Sequence, residues 1–240
     1  MRFSFLSRKW HKWLALIVGV QALFWLISGV YMVTIHLDYI HGDHLVRQLD
    51  EPIDSKLDTV IPIEKMLEQF PSATRIRLVS WLGEPHYRIY GPDGISIVGA
   101  RDGLTKSPLT EEAALEVATY HFALDGAPLQ AVLLNPGDEI PSEIPARALP
   151  LWQITFDDAI ASTFYISPND GRLVTRRHNL WRLFDFVWMF HIMDYESRED
   201  MNNNLLRLAA FLGITLSLSG LWLLFYSFNK RKKDKSEVLS

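Results

Sequence analysis

The sequence predicts an α+β domain carried on two antiparallel membrane-spanning helices, and three observations carry that prediction. Residues 13–35 form an apolar run of 23 residues without a charge, and residues 205–228 form one of 24 with Arg207 alone. At about 1.5 Å per residue the second reaches ~36 Å, more than the ~30 Å of a hydrocarbon core. Charge is polarised as well: residues 1–12 carry +4 and residues 229–240 carry +3 in a chain of −4, which leaves −11 for residues 13–228. Between the two runs, segments of helical and of alternating period follow one another, punctuated by Gly, Pro, Asn and Asp.

The positive-inside rule then puts both termini in the cytoplasm and the acidic middle outside. The first run is longer than the roughly 7–15 residues of a cleaved signal's apolar core, and no small-residue cleavage site follows it, so it reads as an uncleaved anchor. Trp10, His11 and Trp13, set among Arg8, Lys9 and Lys12, belong at the inner headgroup boundary. Two spans in one chain are expected to pair. Ala209, Gly213 and Ser217 lie four apart on the second, with Gly220 near the same stripe, and counting inward from the cytoplasmic edges sets Ser28 and Gly29 level with Gly213. Small residues there would let the backbones approach. Gln21 would stand level with Ser217 and Ser219 and bond across the pair.

In the outer part, residues 37–58 read as a juxtamembrane linker. Ile63, Met66, Leu67 and Phe70 follow Pro62 at helical spacing, then residues 74–80, 85–90 and 95–100 alternate as strands around the turn Gly91-Pro92-Asp93-Gly94. A second helix opens at Thr110, a cap followed by Glu111 and Glu112, and runs to about Phe122. Strands are expected at 130–134, 151–156, 163–167 and 172–175, the last two joined by the turn Pro168-Asn169-Asp170-Gly171. Helix, strands and an Asp-Gly turn thus occur twice, over 59–106 and 107–177, as in an internal repeat. Residues 178–204 complete the outer side. Trp181, Phe184, Trp188, His191 and Tyr195 make one aromatic stripe, which reads as a helix over 179–194 lying at the outer interface, flat beneath the domain or capping the spans.

The strand W-Q-I-T-F at 152–156 and the run F-Y-I-S-P-N-D-G-R-L-V at 164–174, behind a helix, resemble the PepSY domain, a small α+β module of peptidase propeptides and bacterial envelope proteins. R-K-W-H-K-W-L-A-L at 8–16 and S-G-L-W-L-L at 219–224 are similar to the transmembrane helices associated with that domain. The resemblance covers residues 8–228 and is more specific in the strands and helix flanks than over 60–106. It implies a bacterial inner-membrane protein with a periplasmic domain of two PepSY-like repeats. Many members have four or more spans and are linked to iron and siderophore uptake, some as haem-containing reductases; this chain has two apolar runs, a departure that bears on reductase activity.

The residues themselves hold no nucleophile elbow, zincin motif, P-loop or dinucleotide fingerprint. Zero cysteine excludes disulfides, thiolate metal sites and cysteine nucleophiles. The paired carboxylates Glu111-Glu112, Asp138-Glu139 and Asp157-Asp158 read as caps and turns, since neighbours on a strand face opposite ways. His36 and His191, both near the outer membrane face, are the candidate axial ligands of a b-type haem, against the plainer reading of interfacial hydrogen bonding. His36, Asp38, His41, Asp43 and His44 offer five metal-ligand types in nine residues, with a spacing that matches no defined site. His86 and His121 read as surface or packing residues, and His178 as interfacial.

Three functions remain open: a non-catalytic binding or accessory module, the haem-binding redox subunit of a siderophore-iron reductase, and a regulator of an envelope peptidase. The partners expected are membrane lipid, a periplasmic or membrane protein and a second copy of the chain. The acidic outer part argues against nucleic acid.

Overall fold

The computed structural model describes residues 2–47 and 59–238, with side chains over 8–47 and 59–225. The expected linker is therefore described only to residue 47, and the side chains of the tail 229–240 lie outside the described residues. The helices are α1 (Arg2–Thr34), α2 (Leu37–Ile40), α3 (Ile63–Gln69), α4 (Glu111–His121), α5 (Asn179–Ile192) and α6 (Asn204–Val238). The strands are β1 (Arg75–Trp81), β2 (Glu84–Gly91), β3 (Gly94–Gly99), β4 (Pro128–Leu134), β5 (Leu151–Phe156), β6 (Thr163–Ile166) and β7 (Leu173–Arg177). They divide into two compact units, a helical one of Met1–His36 and Leu183–Ser240 and an α+β one of Leu37–Arg182, called the outer unit after the side on which the charge pattern is expected to place it.

In the helical unit, two helices are long and apolar enough to cross a membrane, over Arg8–Thr34 and Asn204–Phe225. Leu16, Ile17, Val20, Leu26 and Ile27 on α1 and Phe211, Ile214, Leu218 and Leu221 on α6 are each more than half exposed. Apolar surface of that extent is at home in hydrocarbon. The protected face of α1 is His11, Leu14, Val18, Gln21, Trp25, Ser28 and Met32, and that of α6 is Leu206, Ala209, Gly213, Leu216, Gly220 and Leu223. These positions recur at spacings of three and four, as the face of a helix packed on a neighbour does.

That face corrects the expected packing stripe. Ser217 is exposed and bonds the carbonyl of its own helix at Gly213, 2.9 Å away, because strict four-residue spacing drifts off it. A Cβ placed on Gly29 or Gly213 would meet nothing within 4 Å, so neither marks a close approach, whereas one on Gly220 would meet His11 Cε1 at 3.4 Å. With His11 beside Ser219, Ser28 stands beyond the start of α6 and not level with Gly213. The two helices are staggered, and the outer half of α1 has a different neighbour.

That neighbour is α5. Tyr31 meets Phe184 at 6.3 Å and Phe24 stacks on Phe190 at 5.7 Å, so α5 runs antiparallel along α1 rather than lying flat. Between α5 and α6 the chain turns on Asp194, whose carboxylate accepts from the backbone N–H groups of Glu196, Ser197, Glu199 and Asp200 and from the Ser197 hydroxyl. Those donors hold its carboxyl well below the usual carboxylate range. Asn203 Oδ1 then caps α6 through Leu206 N–H at 2.8 Å.

The outer unit contains two antiparallel sheets, β1-β2-β3 and β4-β5-β6-β7, each with a helix on it. The alternation of β2 turns Tyr87 and Ile89 onto Met66 of α3, Val98 and Ala100, and Tyr87 donates to the Ile61 carbonyl at 2.6 Å. Thr110 caps α4 by accepting from Ala113 N–H at 3.3 Å, and the buried Ala114, Val117 and Ala118 lie over Trp152, Ile154, Phe156 and Phe164. Phe122 closes this core, stacked on Phe156 at 3.9 Å. The second sheet has one strand more than the first.

The two sheets are joined at the Asp-Gly turn after β6. Trp81 Nε1–H donates to the Gly171 carbonyl at 3.2 Å, and a Cβ on Gly171 would fall 2.6 Å from that nitrogen. Gly171 also has φ +61°, so close approach and left-handed backbone both require glycine there.

Candidate functional site

The predicted site residues sort into three histidine environments. On α5, His191 Nδ1 lies 2.7 Å from Ser28 Oγ. The Ser28 hydroxyl proton is already committed to the Phe24 and Trp25 carbonyls at 2.7 and 3.1 Å, so Ser28 accepts and His191 carries its proton on Nδ1. That leaves Nε2 as a bare lone pair. Trp188 is stacked on the ring at 6.0 Å, Trp25 Nε1–H donates to the His191 carbonyl at 2.8 Å, and Gln21 donates to the Phe190 carbonyl at 3.3 Å. Gln21 thus bonds across helices as expected of it, but to α5 and not to Ser217 or Ser219, since the stagger carries those serines toward the N-terminal end of α1. The same device recurs at that end: Ser219 donates to Leu216 O at 2.8 Å and accepts from His11 Nδ1–H at 2.7 Å, so His11 faces a helix partner and not headgroups alone.

His36 is exposed past the end of α1. Were a haem bound here, His191 would be the residue to hold it, through Nε2, with Ser28 fixing the ring's orientation. The interface residues Trp10 and Trp13 are exposed, as is Tyr195, which lies beyond the end of α5. Trp181 sits under the Arg177 guanidinium at 3.8 Å.

The run 36–44 does not gather as a metal cluster: among the described residues no three His, Asp or Glu side chains converge. Asp43 pairs with Arg176, while His41 is exposed. His44 turns inward, stacked on Tyr39 at 4.0 Å with 5° between the planes, and its ring centre is 5.7 Å from that of His178. His178 is fully buried, which corrects its reading as interfacial; Nε2 bonds the Ile40 carbonyl at 3.0 Å. Burial lowers the pKa of both rings.

A fourth cluster was not visible in the sequence. Glu143, from the Pro-rich loop, receives Arg182 Nε and Nη2 at 2.9 and 3.1 Å and the Tyr165 hydroxyl at 2.7 Å; Gln153 Nε2 bonds Tyr165 Oη at 3.1 Å and Arg182 also reaches Thr163 Oγ1 at 3.0 Å. Burial first, and then the Glu143 carboxylate, push the Tyr165 hydroxyl above the usual tyrosine range. No one of these residues carries a motif; the one signal was a charged residue, Arg182, inside an apolar run. Beside this cluster an open cleft of about 260 Å³ follows β7, lined by His41, Asp43, Val174, Arg176, Arg177 and Trp181 among others. Among the described residues β7 is the last strand of its sheet and pairs with β6.

No protein-family description matches the chain, and no curated protein or solved structure matches it either.

Proposed function

We propose that this chain is a two-span bacterial inner-membrane protein that presents a periplasmic domain of two PepSY-like repeats, working as a non-catalytic binding or accessory module in envelope traffic such as iron or siderophore uptake. The cleft along the edge strand β7 carries this reading. An edge strand accepts an extended segment by backbone hydrogen bonds, and Trp181 with Arg177 and Arg176 gives the cleft an aromatic floor and polar walls. The repeat of helix and antiparallel sheet in the outer unit, and the two membrane-length helices, support the rest of it.

The test is photo-crosslinking in native membranes. A photoreactive residue at Val174 should give a discrete protein adduct that the same residue at Gln130, on the opposite edge strand β4, does not. Equal adducts from both positions, or none from either, would overturn the reading. A reporter fused after Ser240 should be active only in the cytoplasm.

A second reading, the haem-binding redox subunit, is favoured by one observation: the tautomer of His191 fixed through Ser28 leaves Nε2 free to ligate. Haem would supply one-electron chemistry there. A Soret band in the purified protein that His191→Ala abolishes supports it; a colourless protein from haem-replete cells refutes it.

A further inference from the structure

We propose that His44 and His178 hold a single late first-row transition-metal ion, copper foremost, at a site inside the outer unit. The inference begins with a proton count. A carbonyl only accepts, so the His178 Nε2–Ile40 O bond of 3.0 Å places the ring proton on Nε2. His178 Nδ1 therefore bears a lone pair, and it is buried with no donor facing it among the described residues. Both ring nitrogens of His44, one a donor and one an acceptor in the neutral ring, also lack a partner among those residues. Three buried nitrogens of two adjacent rings thus lack what they need, at a substantial desolvation cost.

The geometry suits an ion shared between the rings. A nitrogen–metal bond of about 2.05 Å puts an imidazole centre ~3.2 Å from the metal, so two such rings have centres roughly 5.2 to 6.4 Å apart as their angle at the ion opens from tetrahedral to linear. The observed separation is 5.7 Å. The carbonyl bond of His178 is also how a ligating histidine ordinarily fixes its tautomer and direction. The approach is shaped by Gly42, where φ is +74° and a Cβ would come within 3.3 Å of His178 Cδ2. Tyr39 stacked on His44 holds that ring from its other side.

The nearest carboxylate, Asp43, is taken by Arg176, and no third protein ligand converges. A hard ion that needs carboxylates is therefore a poor occupant. Imidazole nitrogen favours late divalent ions, and among them copper binds most tightly.

The test uses the full chain in detergent, stripped with chelator and titrated with copper(II) against a competing chelator, with electron paramagnetic resonance of the product. One ion per chain, split by two imidazole nitrogens, is expected. His44→Gln and His178→Gln should each weaken binding by ~100-fold, the size of effect that ligand-shell changes produce. The double variant His36→Gln/His41→Gln, in the same segment but exposed, should leave it unchanged. No high-affinity copper in the wild-type chain, or binding lost with His36 and His41 and kept in His44→Gln, would overturn the assignment. If His178→Gln does not fold, His44→Gln and the wild-type nitrogen count decide it.

Discussion

The helical unit and the outer unit treat their buried polar groups differently. Along α1, each polar side chain on the protected face is satisfied by one partner on a neighbouring helix: His11 by Ser219, Gln21 by Phe190 O, Ser28 by His191. In the outer unit polar groups form a dense, shared network around Glu143, and a pair of histidines has three ring nitrogens without a partner among the described residues. The contrast has a physical basis. In hydrocarbon an unsatisfied donor has no water to fall back on, so single complete bonds are the stable solution. A water-facing domain can carry an incomplete site if something else completes it. Unpartnered imidazole nitrogen therefore marks His191 Nε2 in the helical unit and the His44–His178 pair in the outer one.

The largest break in this comparison comes from Arg182→Ala. It leaves the Glu143 carboxylate, whose side chain is 10% exposed, with the Tyr165 hydroxyl as its remaining donor; a loss of about 3 kcal/mol is expected from urea unfolding of the outer unit, toward the lower end for buried pairs because Arg182 is 35% exposed. The double variant Glu143→Gln/Arg182→Met should recover part of it. Next is Gly171→Ala, which forces a left-handed residue against Trp81 and should cost roughly 1–3 kcal/mol, with a change in Trp81 fluorescence. In the helical unit, Ser28→Ala removes a single interhelical bond and should cost ~1 kcal/mol in a reversible unfolding assay. A much larger loss there would mean that His191 belongs to a network after all.

The gentlest perturbation is pH. Burial depresses the folded-state pKa of His44 and His178 below the ordinary 6.5. The unfolded chain then binds more protons than the folded one, so their contribution is complete above pH 6.5 and falls away as pH drops below it toward the folded values. His44→Gln/His178→Gln should flatten that slope, measured by thermal melting between pH 5 and 7.5. A slope unchanged in the double variant would locate the acid sensitivity elsewhere.

Much of the fold is legible in the residues. Thr110 with Glu111 and Glu112 marks the start of α4, and the Gly91–Gly94 turn marks the β2–β3 hairpin. These are local signals, in which a side chain acts on its own backbone. Glu143 carries no such signal, because its meaning comes from Arg182, 39 residues away, and from a strand between them in sequence. His178 misled for the same reason: neighbours Arg176 and Arg177 suggest a wet position, yet its ring is directed into the core by the Ile40 carbonyl.

What the sequence by itself determined is the pair of membrane-length helices, their charged flanks and the α+β alternation between them, since length, period and charge are additive along the chain. Only the tertiary structure decided the stagger of α6 on α1, the course of α5 along α1, and the meeting of His44 with His178. Each depends on which side chain reaches which partner, and a register shift of a few residues changes that without changing the composition or the period of either helix.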